Sequence, residues 1–332
     1  MKFGIRLIGY LGDSRELIDL AALAEKAGFD SVWFPHDTFM HNTWVLSTAA
    51  ADATSTIAIG TVGTNPYTTN PCEIATYAAT LDELSNGRLI LGIGVHTEKM
   101  IEWTGIDASD YIACTREAVH LVRALLRGET ATYAGETFNW GDQCYMRMPV
   151  LRPDLPIYVA GFGEEYLAQS GEIGDGSLPM ITPPASADYM VRNILDGHRR
   201  NGRDRADLVI SGCAWLSVSE SRQDAAENMS KMIAYFGPYL EEAALNTIGL
   251  SADDMAPLGM LIRSGDYDAA YARVTPDMLR LGITGNSSDV IAQIERLAEM
   301  GIDEVNLGGP LGPDPRKAIA QMGCDVIPHF RG

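Results

Sequence analysis

Four times in its first 127 residues, the chain passes from a short apolar stretch into a longer amphipathic one. Residues 2–9 read as a buried strand. A helix through about residue 26 follows, opened by Asp13 or Ser14 and closed by Gly28. Residues 31–34, 57–62 and 88–95 repeat the strand, and 43–53, 70–84 and 111–127 repeat the helix. Successive units of this kind imply parallel strands joined by crossovers. Residues 128–152 form a short excursion, after which strands recur at 155–160, 177–181, 208–218 and 303–307. Helical patterns at 164–171, 187–201, 287–300 and 315–328 alternate with them. Eight strands alternating with helices predict an α/β fold, a (β/α)8 TIM barrel formed as one domain over residues 1–332, with a helical insertion at 221–281 before strand eight. A doubly wound open sheet is the competitor. No GxGxxG follows the first strand and no linker divides the chain, which favours the barrel.

Charge narrows the partners. Against 44 acidic residues stand 25 Lys and Arg, a formal charge of -19. Such a surface argues against nucleic acid and against an anionic membrane, while a local donor cluster can still take an anionic small molecule. The N-terminal apolar run is too short and strand-like for a signal peptide, and no stretch approaches the roughly 18 to 20 apolar residues of a membrane span. Five scattered cysteines without a CxxC pair indicate neither zinc nor a disulfide framework. A soluble cytoplasmic protein is the expectation.

In a barrel, chemistry gathers where strands end and helices begin. That rule selects Arg6 and Tyr10 after strand one, His36 and Asp37 after strand two, and Thr61, Val62, Gly63, Thr64 and Asn65 after strand three. His96 and Glu98 follow strand four, and Gly161, Phe162 and Gly163 follow strand five, directly before a helix. Gly60 and Gly63 flank a strand exit suited to a bulge or to close approach by a flat group. The Gly161–163 turn is a candidate anion site, because a helix N-terminus presents free N–H groups. His36, Asp37 and the other histidines could serve proton transfer or simply hold loops together; no HExxH-type spacing supports a metal. Arg6, a charge inside an apolar strand, must be paired or reach solvent; Asp37, Glu98 and a substrate carboxylate are its candidate partners.

TNPYTTNP at 64–71 and ATLDELSNGRLILGIG at 79–94 resemble the luciferase-like flavin and deazaflavin oxidoreductases, most closely the methylenetetrahydromethanopterin reductases. SGEIGDGSL at 170–178 and GPLGPD at 309–314 are similar too. The resemblance spans nearly the whole chain. It implies a TIM barrel that lays coenzyme F420, an 8-hydroxy-5-deazaflavin, or alternatively FMN across the strand ends. It also implies a non-proline cis peptide at Val62-Gly63 under the ring, a phosphate on Gly161, Phe162 and Gly163, and a homodimer. Departures are visible. Arg6 stands where the reductases carry a Glu that handles the substrate proton, His36-Asp37 replaces Asp-His, and Val95-His96 replaces Pro-Gly. The charge reversal at Arg6 argues against the methylene-pterin reaction itself.

The first expectation is therefore an F420-dependent oxidoreductase acting on a small organic substrate, with catalytic candidates His36, Asp37, Arg6 and Glu98. The second is a two-component FMN-dependent luciferase-like monooxygenase, with a flavin or F420 reductase as partner. The third is a non-catalytic flavin-binding barrel.

Overall fold

The structure, a computed structural model, describes residues 1–94, 101–240 and 242–332. Eight parallel strands close into a barrel: β1 (Lys2–Arg6), β2 (Ser31–Pro35), β3 (Ala58–Val62), β4 (Leu89–Ile93), β5 (Ile157–Gly161), β6 (Gly176–Pro179), β7 (Val209–Val218) and β8 (Glu304–Leu311). Each pairs with the next in chain order, and β8 pairs with β1 to complete the ring. Helices return the chain between them, as the alternating pattern predicts.

Two cores follow from the two faces of each strand. Phe3, Ile5 and Leu7 point outward and pack with Leu17 and Leu20 of the first helix, Ser14–Ala27. The inward face is small where it must be. A Cβ at Gly60 would lie 2.0 Å from the Trp33 ring. The missing side chain makes room for Trp33, whose ring lies 5.7 Å from that of Tyr158. Val62, Ala160, Leu178 and Cys213 complete this interior plug. Beneath it the Ser31 hydroxyl donates to Glu304 at 2.5 Å and the Trp33 indole N–H donates to Ser31 at 2.7 Å. Burial pushes the Glu304 carboxyl up, and the Ser31 bond only partly offsets this.

The TLDELSNGR run stabilises the end of the barrel opposite the strand C-termini. Asn86 and Gly87 take positive φ to turn the chain into β4. Arg88 then donates to the carbonyls of Ser85, Ile57, Ala51 and Thr54 and to the Thr54 hydroxyl. Asp82, 1% exposed, takes a two-pronged contact from Arg152 and the N–H of Leu89. Removing a hub of this kind leaves half-buried carbonyls unpaired. Arg88→Ala is therefore expected to cost about 3 kcal/mol, roughly 4 to 6 °C in Tm, with ligand affinity unchanged. A melting curve that superposes on the wild type would contradict this.

Between β7 and β8 lie helices Arg222–Phe236, Glu242–Asn246, Ala252–Ser264, Tyr267–Ala272 and Pro276–Leu279. Met229, Ile233, Leu245, Met255 and Leu258 form their own core, which reaches Ile181 and Trp215 at the ends of β6 and β7. Met229 and Met232 are thus core residues, whereas Tyr235 and Tyr239 are exposed. One strand is not visible in the sequence pattern: Gly282–Gly285 pairs with Trp215–Val218 outside the closed ring. Four residues bounded by glycines carry too little periodicity to be read as a strand. At the N-terminus β1 stops at Arg6, and Gly9–Leu11 forms a 3-10 turn rather than more strand. No described helix is long and apolar enough to cross a membrane.

Candidate functional site

The exit of β3 is a bulge. Gly60 faces Ile90 in the ladder, but Thr64 bridges to Ile93, so β3 carries one residue more than β4 over the same span. The insertion bends the strand and leaves a residue unpaired. That residue is Gly63, whose backbone has no hydrogen-bond partner among the described residues. Its neighbours are clasped on every side. Thr64 N–H donates to Gly92 at 2.6 Å and Gly94 N–H donates to Thr64 at 3.0 Å. The Thr61 hydroxyl accepts from Gly92 N–H at 3.0 Å and lies 3.2 Å from the Gly92 carbonyl. His36 N–H donates to the Val62 carbonyl at 3.0 Å.

The Val62–Gly63 bond is trans, contrary to the cis bond the resemblance implies; Gly309–Pro310 is the one cis peptide among the described residues. The ledge is built by register shift instead. An extra residue and the bonds from Gly92, Gly94 and His36 expose the backbone without rotating the peptide.

The His36 ring is part of the same clasp. Asn65 N–H donates to its Nδ1 at 3.0 Å, which places the ring proton on Nε2. Asn65, only 3% exposed, in turn accepts from Tyr67 N–H at 2.8 Å. Thus His36, Thr61, Val62, Gly63, Thr64 and Asn65 form one unit across β2, β3 and β4.

Next to it, Ala160 packs against the ledge, since a Cβ at Gly63 would sit 2.8 Å from the Ala160 Cβ. Beyond Ala160 the chain turns through Gly161, Phe162 and Gly163 into helix Glu164–Ile173. No side chain caps this helix. Gly163 has φ 81 and ψ 156, a conformation essentially reserved for glycine, and open space where a Cβ would point. The turn therefore offers backbone N–H groups and the positive end of a helix dipole. Glu164 and Glu165 line a groove on the helix flank together with Asn193, Asp196 and Arg200.

On the other side of the mouth, Arg6 is 7% exposed. Its guanidinium lies over Gly308, where a Cβ would come within 2.3 Å of Nη2. Among the described residues its Nη1 has no hydrogen-bond partner, and no ion pair joins it to Asp37; Glu98, the other expected partner, lies outside them. Tyr10 stands over Gly309, its ring 5.7 Å from that of Phe236. Although the Tyr10 side chain is partly exposed, desolvation of its hydroxyl holds it above the usual phenol range; Arg6 opposes that shift and Asp37 adds to it. Asp37 thus lies near Tyr10. His96 and Glu98 lie outside the described residues. No metal-binding cluster occurs among the described residues.

Several features of the mouth escaped the sequence reading. Ile181 sits at φ 49, strained for a β-branched residue, and Trp215 links the mouth to the helical segment. Asn306, fully buried, has no hydrogen-bond partner for either amide atom among the described residues. Alternation along β8 would have placed Asn306 inward; nothing local marks the other two.

The family model for luciferase-like monooxygenases matches residues 1–304. The chain belongs to this family. Among luciferase-like relatives, a 5,10-methylenetetrahydromethanopterin reductase from Archaeoglobus fulgidus is 30% identical over 336 residues, covering 100% of both chains. An F420-dependent glucose-6-phosphate dehydrogenase from Intrasporangium calvum is 27% identical over 96% of this chain and 95% of its own. The solved coenzyme F420 dependent tetrahydromethanopterin reductase from Methanopyrus kandleri superposes with a TM-score of 0.92 at 28% identity, over 99% of each chain. These relatives are oxidoreductases, and this luciferase-like chain is an enzyme of the same kind.

Proposed function

We propose that this protein transfers a hydride between coenzyme F420 and a small organic substrate. The observation that carries the proposal is the bulged ledge at Thr61–Asn65, one strand removed from the uncapped helix N-terminus at Gly163. A planar ring needs a flat, rigid backbone surface, and a phosphate tail needs unshared N–H groups. The residues present fit both needs. Thr61, Val62, Gly63, Thr64 and Asn65 would hold the ring. Gly161, Phe162 and Gly163 would hold the phosphate. Bound there, reduced F420 supplies a hydride. His36 holds its proton on Nε2 and steadies the substrate atom that gains electron density; Asp37 and Tyr10 are the nearby groups for proton balance. Tyr10 and Phe236 shield the mouth from water. Identities of 27–30% to the F420-dependent dehydrogenase and the reductase support the cofactor class and leave the substrate open. A cytoplasmic homodimer is part of the same reading.

Fluorescence titration of the purified protein with coenzyme F420 and with FMN tests this. Saturable binding of F420, without oxygen uptake when reduced FMN is supplied, is expected. Oxygen consumption driven by reduced FMN would instead make the protein a two-component monooxygenase.

A further inference from the structure

Building on the oxidoreductase reading above, we propose that the substrate carries a carboxylate and that Arg6 is its receptor. Arg6 is more than nine-tenths buried at the mouth end of β1, and its Nη1 has no hydrogen-bond partner among the described residues. A buried cation is strongly unfavourable unless it is paired. Among the described residues no ion pair to Arg6 is formed, and two groups in its field are neutral. Those groups are the Cys213 thiol, which is fully buried, and the Tyr10 phenol.

The surroundings fit a ligand rather than a structural pair. Gly308 leaves the space in which the guanidinium lies. Asn306, fully buried, points inward one pleat below, with Oδ1 and Nδ2 both unpartnered among the described residues. A planar guanidinium matches a carboxylate through two parallel N–H···O bonds, and the Asn amide can add a third. One guanidinium balances a monoanion, which favours a carboxylate over a phosphate dianion. A protein with a net charge of -19 would otherwise repel such a substrate, so the receptor must be local and buried.

The test uses propionate as the probe, its neutral isostere propionamide, and inorganic phosphate, each titrated calorimetrically into the full chain with and without F420. Wild-type protein is expected to bind propionate at least about tenfold more tightly than propionamide. Arg6→Gln is expected to bring propionate down to the amide level, Arg6→Lys to retain part of the difference, and both to leave F420 affinity within about threefold. Equal binding of propionate and propionamide by the wild type would overturn the proposal, whether or not the variants fold. So would phosphate binding more tightly than propionate, or loss of F420 affinity in Arg6→Gln with propionate binding unchanged. Arg6-dependent propionate binding by a protein that fails to bind F420 would keep the carboxylate receptor and remove the oxidoreductase reading.

Discussion

Gly163→Asp is expected to weaken coenzyme F420 binding roughly 100-fold while leaving the barrel folded. Two effects combine. The glycine holds φ 81 and ψ 156, so any side chain there adds backbone strain of about 1–3 kcal/mol. No heavy atom lies within 4 Å of the position a Cβ would occupy, so the new side chain meets no neighbour. The carboxylate, however, would stand where the phosphate is proposed to sit. Two like charges about 5 Å apart in a partly screened site repel by about 3 kcal/mol, close to two orders of magnitude in Kd. Gly163→Ala shares the strain without the charge and is expected to lose only a few-fold. Titration of both variants, alongside their melting curves, separates the effects. Equal losses for Ala and Asp would place the anion elsewhere.

Gly92→Ala is expected to damage the ledge itself. A Cβ at position 92 would lie 2.0 Å from the Thr61 carbonyl oxygen and 3.2 Å from Leu178. The oxygen belongs to backbone, so the bulge would have to move. Gly92 also donates to the Thr61 hydroxyl and accepts from Thr64 N–H, so the shift breaks the clasp that exposes Gly63. Overpacking of this kind costs about 3 kcal/mol, here roughly 4 to 6 °C in Tm. Unlike Arg88→Ala, which acts at the opposite end of the barrel, Gly92→Ala is expected to lower F420 affinity as well, at least about tenfold. Wild-type affinity in a folded Gly92→Ala protein would show that the bulge does not carry the ring.

The contrast between Arg88 and Gly92 also shows what a chain of this kind reveals before its structure is known. Strand and helix alternation is a local, periodic signal, and it places all eight barrel strands. The rule that strand C-termini carry chemistry then picks out His36, Thr61–Asn65 and Gly161–Gly163, which the fold places at the ends of β2, β3 and β5, with β4 between the last two. What local pattern does not carry is pairing. The bulge is a mismatch between β3 and β4, and neither strand alone records it. The Asn65 bond to His36 joins residues 29 apart and sets a tautomer that no composition reveals. Arg6 illustrates the same limit. Its charge marks it in the sequence, but that its Nη1 has no hydrogen-bond partner among the described residues emerges only when β1, β7 and β8 are assembled. The TLDELSNGR run, the most specific part of the resemblance, proves to be structural, with Asp82 and Arg88 tying helix ends to strand entrances.

A crystal structure of the protein with coenzyme F420 tests the ledge and the turn together. The account predicts the tricyclic ring lying on the backbone of Val62, Gly63 and Thr64, with the phosphate accepting N–H groups at the Gly163 turn. A ring bound elsewhere, or a tail phosphate held away from the helix that starts at Glu164, would contradict it.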